Sequence, residues 1–195
     1  MTRQEEKQIL RKTIRAMELQ LSSRYRQEAS AAITAHLLAA PEYQAAETVF
    51  CFVGTSHEID TYAILADVLS RNRRLCVPAC TDRDTMVLRQ IFNLAELISG
   101  TYGILEPPAD APLVSADEVD FAILPCMTCN HRGQRLGRGL GYYDRFLAGY
   151  RGGAVLLCRE RLIREEIPVE PHDYPVPWVL TEAGLYEDGT PARLG

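Results

Sequence analysis

The segment Gly133 to Tyr150 concentrates residue types that can bind phosphate. It reads GQRLGRGLGYYDRFLAGY, with glycines at the alternate positions 137, 139 and 141. Glycine at this spacing would weaken the interior of a helix or a strand, so the pattern predicts a loop. The loop leads into a helix-like segment, where backbone N–H groups and the positive end of the helix dipole favour an anion. We therefore expect a phosphate group to bind there.

Side chains around these glycines strengthen that expectation. The stretch carries four arginines, Arg132, Arg135, Arg138 and Arg145. Tyr142 and Tyr143 can stack or hydrogen-bond, and the carboxylate of Asp144 is a hard ligand that suits Mg²⁺. The segment contains no GxxxxGK[ST] P-loop, and a dinucleotide-binding GxGxxG would need glycine where Tyr142 stands. Glycines that only shape a turn are the alternative interpretation.

Composition limits the class of protein. The 195 residues are 47% hydrophobic and 24% charged, which predicts one globular domain over residues 1–195 with a core of its own. A net charge of −5 argues against nucleic-acid binding, which needs a basic surface. No apolar run reaches the roughly 20 residues of a membrane span, and MTRQEEKQILRK lacks a signal-peptide core. We expect a cytoplasmic protein without a membrane partner.

Six cysteines raise the question of metal or redox chemistry. Cys126 and Cys129 form a CxxC, and Cys76 and Cys80 a CxxxC, so the spacing alone also fits a four-thiolate zinc site. However, Cys76 and Cys51 stand in apolar, strand-like runs, where cysteine usually packs as a small hydrophobe. A thioredoxin-type CxxC should open a helix, whereas Cys129 is followed by the turn-like NHRG. Reduced, structural thiols are the interpretation that we prefer.

Hydrophobic periodicity predicts the elements that position the glycine loop. Two amphipathic helices come first, at residues 3–21 and 22–40, and a strand, a helix N-capped by Thr61 and a second strand then form a βαβ unit. Further strands are predicted at residues 85–91, 119–125, 153–158 and 177–182, the last of them at a sheet edge. The pattern predicts an α/β fold with three layers, in which helices cover both faces of a mixed, mostly parallel sheet.

The motif RLGRGLGYYDRFL, from Arg135 to Leu147, resembles the nucleotide loop of the 5-formyltetrahydrofolate cyclo-ligases, also called 5,10-methenyltetrahydrofolate synthetases. Four further stretches match the family in the same order: KQILRK, FVGTSHEIDT, YGILEP and IPVEPHDYPVPWVLTE. The resemblance covers nearly the whole chain.

The resemblance implies an ATP-driven cyclisation. The formyl oxygen on N5 of the folate attacks the γ-phosphate of Mg·ATP, and N10 of the resulting phosphorylated imidate closes the ring and expels phosphate. A phosphorylated oxygen leaves far more readily than an amide-like one, so the enzyme mainly aligns groups and neutralises charge. The implied partners are reduced folate and ATP, with Mg²⁺, on a chain that is a monomer or a weak homo-oligomer.

The resemblance also implies roles for individual residues. Those with catalytic roles are Lys7, Arg138 and Tyr142. Those that bind ATP are Lys7, Arg11, Arg135, Gly137, Arg138, Gly139, Leu140, Gly141 and Tyr142. Those that bind the folate are Glu58, Tyr102, Glu106 and Tyr143, and those near the metal are Asp144 and Asp173.

Two positions depart from the family pattern. The family usually has glycine and aspartate where this chain has Cys126 and Asn130. Asparagine keeps an oxygen acceptor but lacks the charge of aspartate, which bears on any metal or phosphate role at that position. Two other functions remain open: a non-enzymatic nucleotide or folate sensor, and a phosphosugar-isomerase-like or CoA-transferase-like enzyme that shares the fold.

Overall fold

The computed structural model describes residues 1–81, 85–100 and 103–192. Its α-helices in these ranges are α1 (Arg3–Leu19), α2 (Ser23–Ala39), α3 (Pro41–Ala45), α4 (Tyr62–Ser70) and α5 (Tyr142–Gly149). Helix α1 begins at a capping box, in which the Thr2 side chain accepts from the Glu5 N–H at 3.2 Å and Glu5 Oε2 accepts from the Thr2 N–H at 2.7 Å. Short 3₁₀ helices lie at Leu94–Glu96, Ala116–Glu118 and Glu160–Leu162.

The strands follow the apolar runs of the sequence. They are β1 (Thr48–Cys51), β2 (Arg74–Cys80), β3 (Met86–Ile91), β4 (Ile98–Ser99), β5 (Leu105–Glu106), β6 (Leu113–Val114), β7 (Phe121–Pro125), β8 (Thr128–Cys129), β9 (Arg135–Leu136), β10 (Gly153–Leu157), β11 (Trp178–Thr181), β12 (Gly184–Glu187) and β13 (Thr190–Ala192). A nine-stranded sheet has the order β13-β12-β11-β10-β7-β1-β2-β3-β6, and β4–β5 and β8–β9 form separate hairpins.

The centre of the large sheet is parallel and its edges are antiparallel. Strands β11, β10, β7, β1 and β2 run parallel to one another, whereas β3, β6, β12 and β13 each pair antiparallel with the strand beside them. Strands β1 and β2 pair directly, with Val49 opposite Leu75, and α4 is the crossover between them. The predicted βαβ unit is therefore confirmed.

Alternation along each strand builds one core on each face of the sheet. Val49 belongs to a core that α2, α3 and α4 cover, and its neighbour Phe50 belongs to a core that α1 and α5 cover. Successive strand residues point to opposite faces, so the two clusters lie on opposite sides. The predicted three-layer α/β class with a mixed sheet is confirmed.

Thr61 is the N-cap residue of α4, as predicted, but its side chain makes no cap bond: its hydroxyl donates to the Phe52 carbonyl at 2.9 Å, and Asp60 Oδ1 accepts from the Tyr62 N–H at 3.0 Å. The prediction of an edge position for the last strand was wrong. Strand β11 is not the sheet edge, because β12 and β13 continue the sheet beyond it. The extra strands have only four and three residues, too few for a clear hydrophobic alternation, which explains why the sequence did not predict them.

No helix in the described part of the chain is long and apolar enough to cross a membrane.

Candidate active site

One large cavity, of about 950 Å³, opens at the carboxyl ends of the parallel strands. Phe52 and Val53 line it just after β1, Cys126 after β7, and Cys158 and Arg159 after β10. In a parallel sheet these ends meet at one edge, which is where α/β folds place their ligands. The topology thus brings loops that are far apart in sequence to one site.

Every predicted site residue that the structure describes lines this cavity. They are Lys7, Arg11, Glu58, Glu106, Arg135, Gly137, Arg138, Gly139, Leu140, Gly141, Tyr142, Tyr143, Asp144 and Asp173. Tyr102 lies outside the described residues. The structure therefore brings the predicted residues together, while the role of each one stays a prediction.

The glycine loop has the backbone that its sequence predicts. Gly139 and Gly141 have φ angles of 106° and 69°, in the left-handed region that favours glycine. A Cβ atom at Gly141 would also lie 2.9 Å from Arg145 Nη1. Gly141 is the N-cap of α5 and makes no side-chain cap bond, so the first turn of the helix keeps N–H groups that an anion can satisfy.

Helix α1 lies against this loop through Arg11. Its Nε donates to the Gly137 carbonyl at 2.9 Å, and its guanidinium carbon would be 3.3 Å from a Cβ atom at Gly139. Burial, and then the charge of Arg15, lower the pKa of Arg11 below its ordinary value. Arg11 therefore fixes the loop by a backbone contact and adds positive charge to it.

Lys7, one turn earlier on α1, is held by two carboxylates. Its Nζ lies 2.6 Å from Asp173 Oδ2 and 2.7 Å from Glu170 Oε2, and its side chain is only 6% exposed. Burial alone would lower the pKa of Lys7, but the hydrogen bonds to Asp173 and Glu170 outweigh it and raise the pKa. A buried ammonium ion thus stands at the cavity wall with its charge balanced by protein groups.

The two acids predicted to lie near the metal are each paired with a cation. Asp173 binds Lys7, and Asp144 Oδ1 accepts from Arg135 Nη2 at 2.7 Å. Mg²⁺ typically takes one or two carboxylates together with substrate phosphates and water, so it needs no all-protein cage. Asp144 and Asp173 both line the cavity, so their carboxylates fit such a partial ligand set.

The predicted phosphate and folate groups meet at Arg138. Its Nη2 lies 3.1 Å from Glu58 Oε1 and 3.3 Å from Thr55 Oγ1, which accepts a hydrogen bond from it. Glu58 also accepts from the Thr55 N–H through Oε2 at 3.1 Å. The family resemblance assigns Arg138 to ATP and Glu58 to the folate, and the contact shows that these two side chains are neighbours.

Tyr143 forms part of the cavity wall on the sheet side. Its ring stacks on Phe50 with centroids 6.2 Å apart and planes 22° from parallel, and the Arg135 guanidinium lies 5.9 Å from the ring centroid. Burial raises the pKa of Tyr143 well above its ordinary value, so the phenol stays neutral. Glu106, from β5, lines the same cavity.

Sequence reasoning missed two residues at the site. Glu170 pairs with Lys7, and Arg159 donates to the carbonyls of His57 at 3.0 Å and Glu58 at 2.6 Å. Arg159 is buried, lines the cavity and lies two residues after the end of β10. The position of Arg159 just after a buried strand could have identified it from the sequence. The proximity of Glu170 to Asp173 in the sequence VEPHDYP could have identified Glu170.

Comparison with known proteins settles the family. The sequence model of the 5-formyltetrahydrofolate cyclo-ligase family matches residues 3–182. The chain belongs to this family. One curated relative is a mitochondrial 5-formyltetrahydrofolate cyclo-ligase of Arabidopsis thaliana, 30% identical over 92% of this chain and 75% of the relative. Another is the 5-formyltetrahydrofolate cyclo-ligase of Escherichia coli K12, 26% identical over 89% of this chain and 99% of the relative. These names indicate cyclo-ligase activity, so the predicted family and enzyme class are confirmed.

A solved structure agrees with this membership. The solution structure of Aquifex aeolicus 5,10-methenyltetrahydrofolate synthetase superimposes with a TM-score of 0.82 at 27% identity, covering 97% of this chain and 96% of that one. A Mycoplasma pneumoniae 5,10-methenyltetrahydrofolate synthetase, 15% identical with a TM-score of 0.73, shares the fold.

The departure at Asn130 has a structural explanation in this cyclo-ligase family member. Asn130 is 3% exposed and does not line the cavity; its Oδ1 accepts from the Gln134 N–H at 3.0 Å, and its Nδ2 donates to Gln134 Oε1 at 2.7 Å. It thus closes the turn between β8 and β9. Cys126, in contrast, lies at the cavity wall.

Proposed function

We propose that this chain converts 5-formyltetrahydrofolate to 5,10-methenyltetrahydrofolate with cleavage of ATP to ADP and phosphate, through a phosphorylated formyl intermediate. The observation that carries the proposal is the convergence of all the described candidate residues on one cavity of about 950 Å³. That volume lies near the upper end of the range for small-molecule sites, as two bound substrates require.

Charge supports the binding of the triphosphate beside the glycine loop. Lys7, Arg11, Arg135 and Arg138 line the cavity, and the uncapped first turn of α5 adds backbone donors. In the ligand-free chain, Lys7 and Arg135 are balanced by Asp173 and Asp144. Phosphate oxygens can replace these carboxylates as partners of the cations, because arginine and lysine bind both kinds of anion.

Release of the two aspartates would prepare them for a metal ion. Asp144 and Asp173 would hold Mg²⁺ together with phosphate oxygens, and the ion would neutralise the charge that develops on the transferred phosphoryl group. Lys7 would then bind the phosphates from the α1 side.

Arg138 and Glu58 lie where the two substrates must meet. Glu58 can accept the N–H donors of a pterin ring, while Arg138, which contacts Glu58 at 3.1 Å, can pass to the γ-phosphate. This pairing would align the formyl oxygen with the phosphorus, and alignment of two bound reactants is worth several kcal/mol of the barrier. N10 then attacks the imidate carbon, and the phosphate leaves with the former formyl oxygen.

The test is a single incubation with 5-formyltetrahydrofolate and Mg·ATP. Formation of the methenyl chromophore should equal ADP formation mole for mole, and neither should form when either substrate is omitted. ADP without chromophore would indicate a different phosphoryl acceptor, and ATP binding without ADP would indicate a sensor; either result would contradict the proposal.

A further inference from the structure

Three cysteine side chains converge beside the cavity. Cys126 follows β7, Cys129 ends the short strand β8, and Cys158 follows β10. Their Sγ atoms all lie within 4.8 Å of one another, and all three thiols are free. Cys129 and Cys158 are buried, and Cys126 is half-buried. The CxxC motif is thus completed by a distant cysteine and not by Cys76 or Cys80.

Sulfur atoms within 4.8 Å of one another are close enough to bind one metal ion with small side-chain movements. With Zn–S bonds of about 2.3 Å in a tetrahedral site, neighbouring sulfurs stand about 3.8 Å apart. We propose that Cys126, Cys129 and Cys158 bind one thiophilic d¹⁰ ion of the Zn²⁺ class through three thiolates. Binding of a divalent ion would release three protons to solvent, one from each thiol, and would change no oxidation state.

Nearby cations favour the negative charge that such a site carries. Three thiolates and one divalent ion sum to a charge of −1. Arg159 directly follows Cys158, and both Arg159 and Arg135 are buried, with Nε atoms that have no hydrogen-bond partner among the described residues.

The hydrogen bonds that the thiols donate in the metal-free chain are weak. Cys126 Sγ lies 3.7 Å from the Leu157 carbonyl and Cys158 Sγ lies 3.6 Å from the Arg159 carbonyl. Thiol donors form poor hydrogen bonds, so deprotonation sacrifices little. Cys126 and Cys158 both line the cavity, so the remaining coordination position of a tetrahedral ion would face it and take water or a bound molecule.

Metal titration of the reduced, full-length chain tests this assignment without an activity assay. The probes are Zn²⁺, in competition with a chromophoric chelator, and Cd²⁺, whose thiolate complexes absorb in the ultraviolet. We expect one ion per chain, three protons released per ion, and an X-ray absorption spectrum with three sulfurs at about 2.3 Å from zinc.

Matched variants identify the ligands. Cys126→Ser should weaken Zn²⁺ binding by at least about 100-fold, because the soft thiolate ligand is lost. Cys80 is also half-buried but lies outside the cluster, so the Cys80→Ser variant should bind Zn²⁺ as the unsubstituted chain does. Circular dichroism of both variants establishes that they are folded; should Cys126→Ser be unfolded, Cys126→Ala takes its place. Binding that is absent from the unsubstituted chain, or that Cys80→Ser weakens as much as the Cys126 variant, would overturn the proposal.

Discussion

Replacement of Lys7 by alanine probes the link between α1 and the bound triphosphate. In the ligand-free chain the ammonium group lies 2.6 and 2.7 Å from two carboxylates, and we expect it to pass to the phosphates when ATP binds. If its loss resembles that of one donor to a developing oxyanion, the transition state should lose about 2–4 kcal/mol of stabilisation, and kcat/KM should fall roughly 30- to 1000-fold. The KM for ATP should rise as well, because the ground state also loses a cation.

The same substitution should lower stability. It leaves Asp173 and Glu170 without their cation, and breaking a fully buried pair costs about 3–5 kcal/mol. These carboxylates are 13% and 21% exposed, so water screens part of the loss and we expect roughly 2 kcal/mol in urea unfolding. Kinetics must therefore be measured at a temperature at which circular dichroism shows that both the unsubstituted chain and the Lys7→Ala variant are folded.

Lys12→Ala is the matched control, since Lys12 is an exposed lysine of the same helix. Steady-state kinetics with varied ATP and coupled detection of the methenyl product give both constants. If Lys7→Ala behaves as Lys12→Ala does in turnover and in the KM for ATP, then α1 does not contact the phosphates and this part of the reasoning is refuted.

The pKa of Lys7 predicts a dependence of stability on pH. Because the folded-state pKa is raised above 10.5, the stabilisation that comes from Lys7 should be complete below pH 10.5 and should disappear as the pH rises through the folded-state value. The difference in unfolding free energy between the unsubstituted chain and Lys7→Ala should therefore shrink in that alkaline range. A difference that stays constant there would contradict the assignment of the shift to the folded state.

Three further outcomes follow from the site. Glu58→Gln should raise the KM for the folate by roughly 10-fold, through the loss of a charged acceptor, and should change the KM for ATP less; equal changes in both would contradict its assignment to the pterin. Gly141→Ala should lower the melting temperature and weaken ATP binding in calorimetry, because its φ of 69° is strained for alanine by about 1 kcal/mol or more and its Cβ would crowd Arg145; unchanged values would refute the role of the loop backbone. Exhaustive chelation should abolish turnover, and added Mg²⁺ should restore it, because Asp144 and Asp173 otherwise face a triphosphate; turnover that survives chelation would exclude this metal role.

Local sequence patterns predicted the central sheet and the glycine loop, and the family resemblance supplied most of the other candidate residues of the cavity. Continuous apolar runs mark the buried parallel strands, and their carboxyl ends necessarily share an edge. The glycine spacing predicted a loop at residues 137–141, and the structure has one, with positive φ at Gly139 and Gly141. Strands as short as β12 and β13, of four and three residues, carry little periodic signal, and pairing at the far edge of the sheet was therefore missed.

Long-range pairings could not be predicted from spacing. The partner of Lys7 at Glu170 lies 163 residues away, and the contact between Arg138 and Glu58 joins two loops that the sequence interpretation assigned to different substrates. Cys158 likewise joins Cys126 and Cys129 only because β10 lies beside β7 in the sheet. These contacts result from strand order, which local sequence patterns do not specify.

The destination of the formyl oxygen tests the account of the reaction most directly. 5-Formyltetrahydrofolate that carries a heavy oxygen isotope in its formyl group would be converted with unlabelled Mg·ATP, and the phosphate would be analysed by mass spectrometry. Attack of the formyl oxygen on the γ-phosphate predicts one labelled oxygen in every phosphate released. Label that appears in water, with unlabelled phosphate, would show that ATP is hydrolysed without phosphorylation of the folate and would contradict the proposed function.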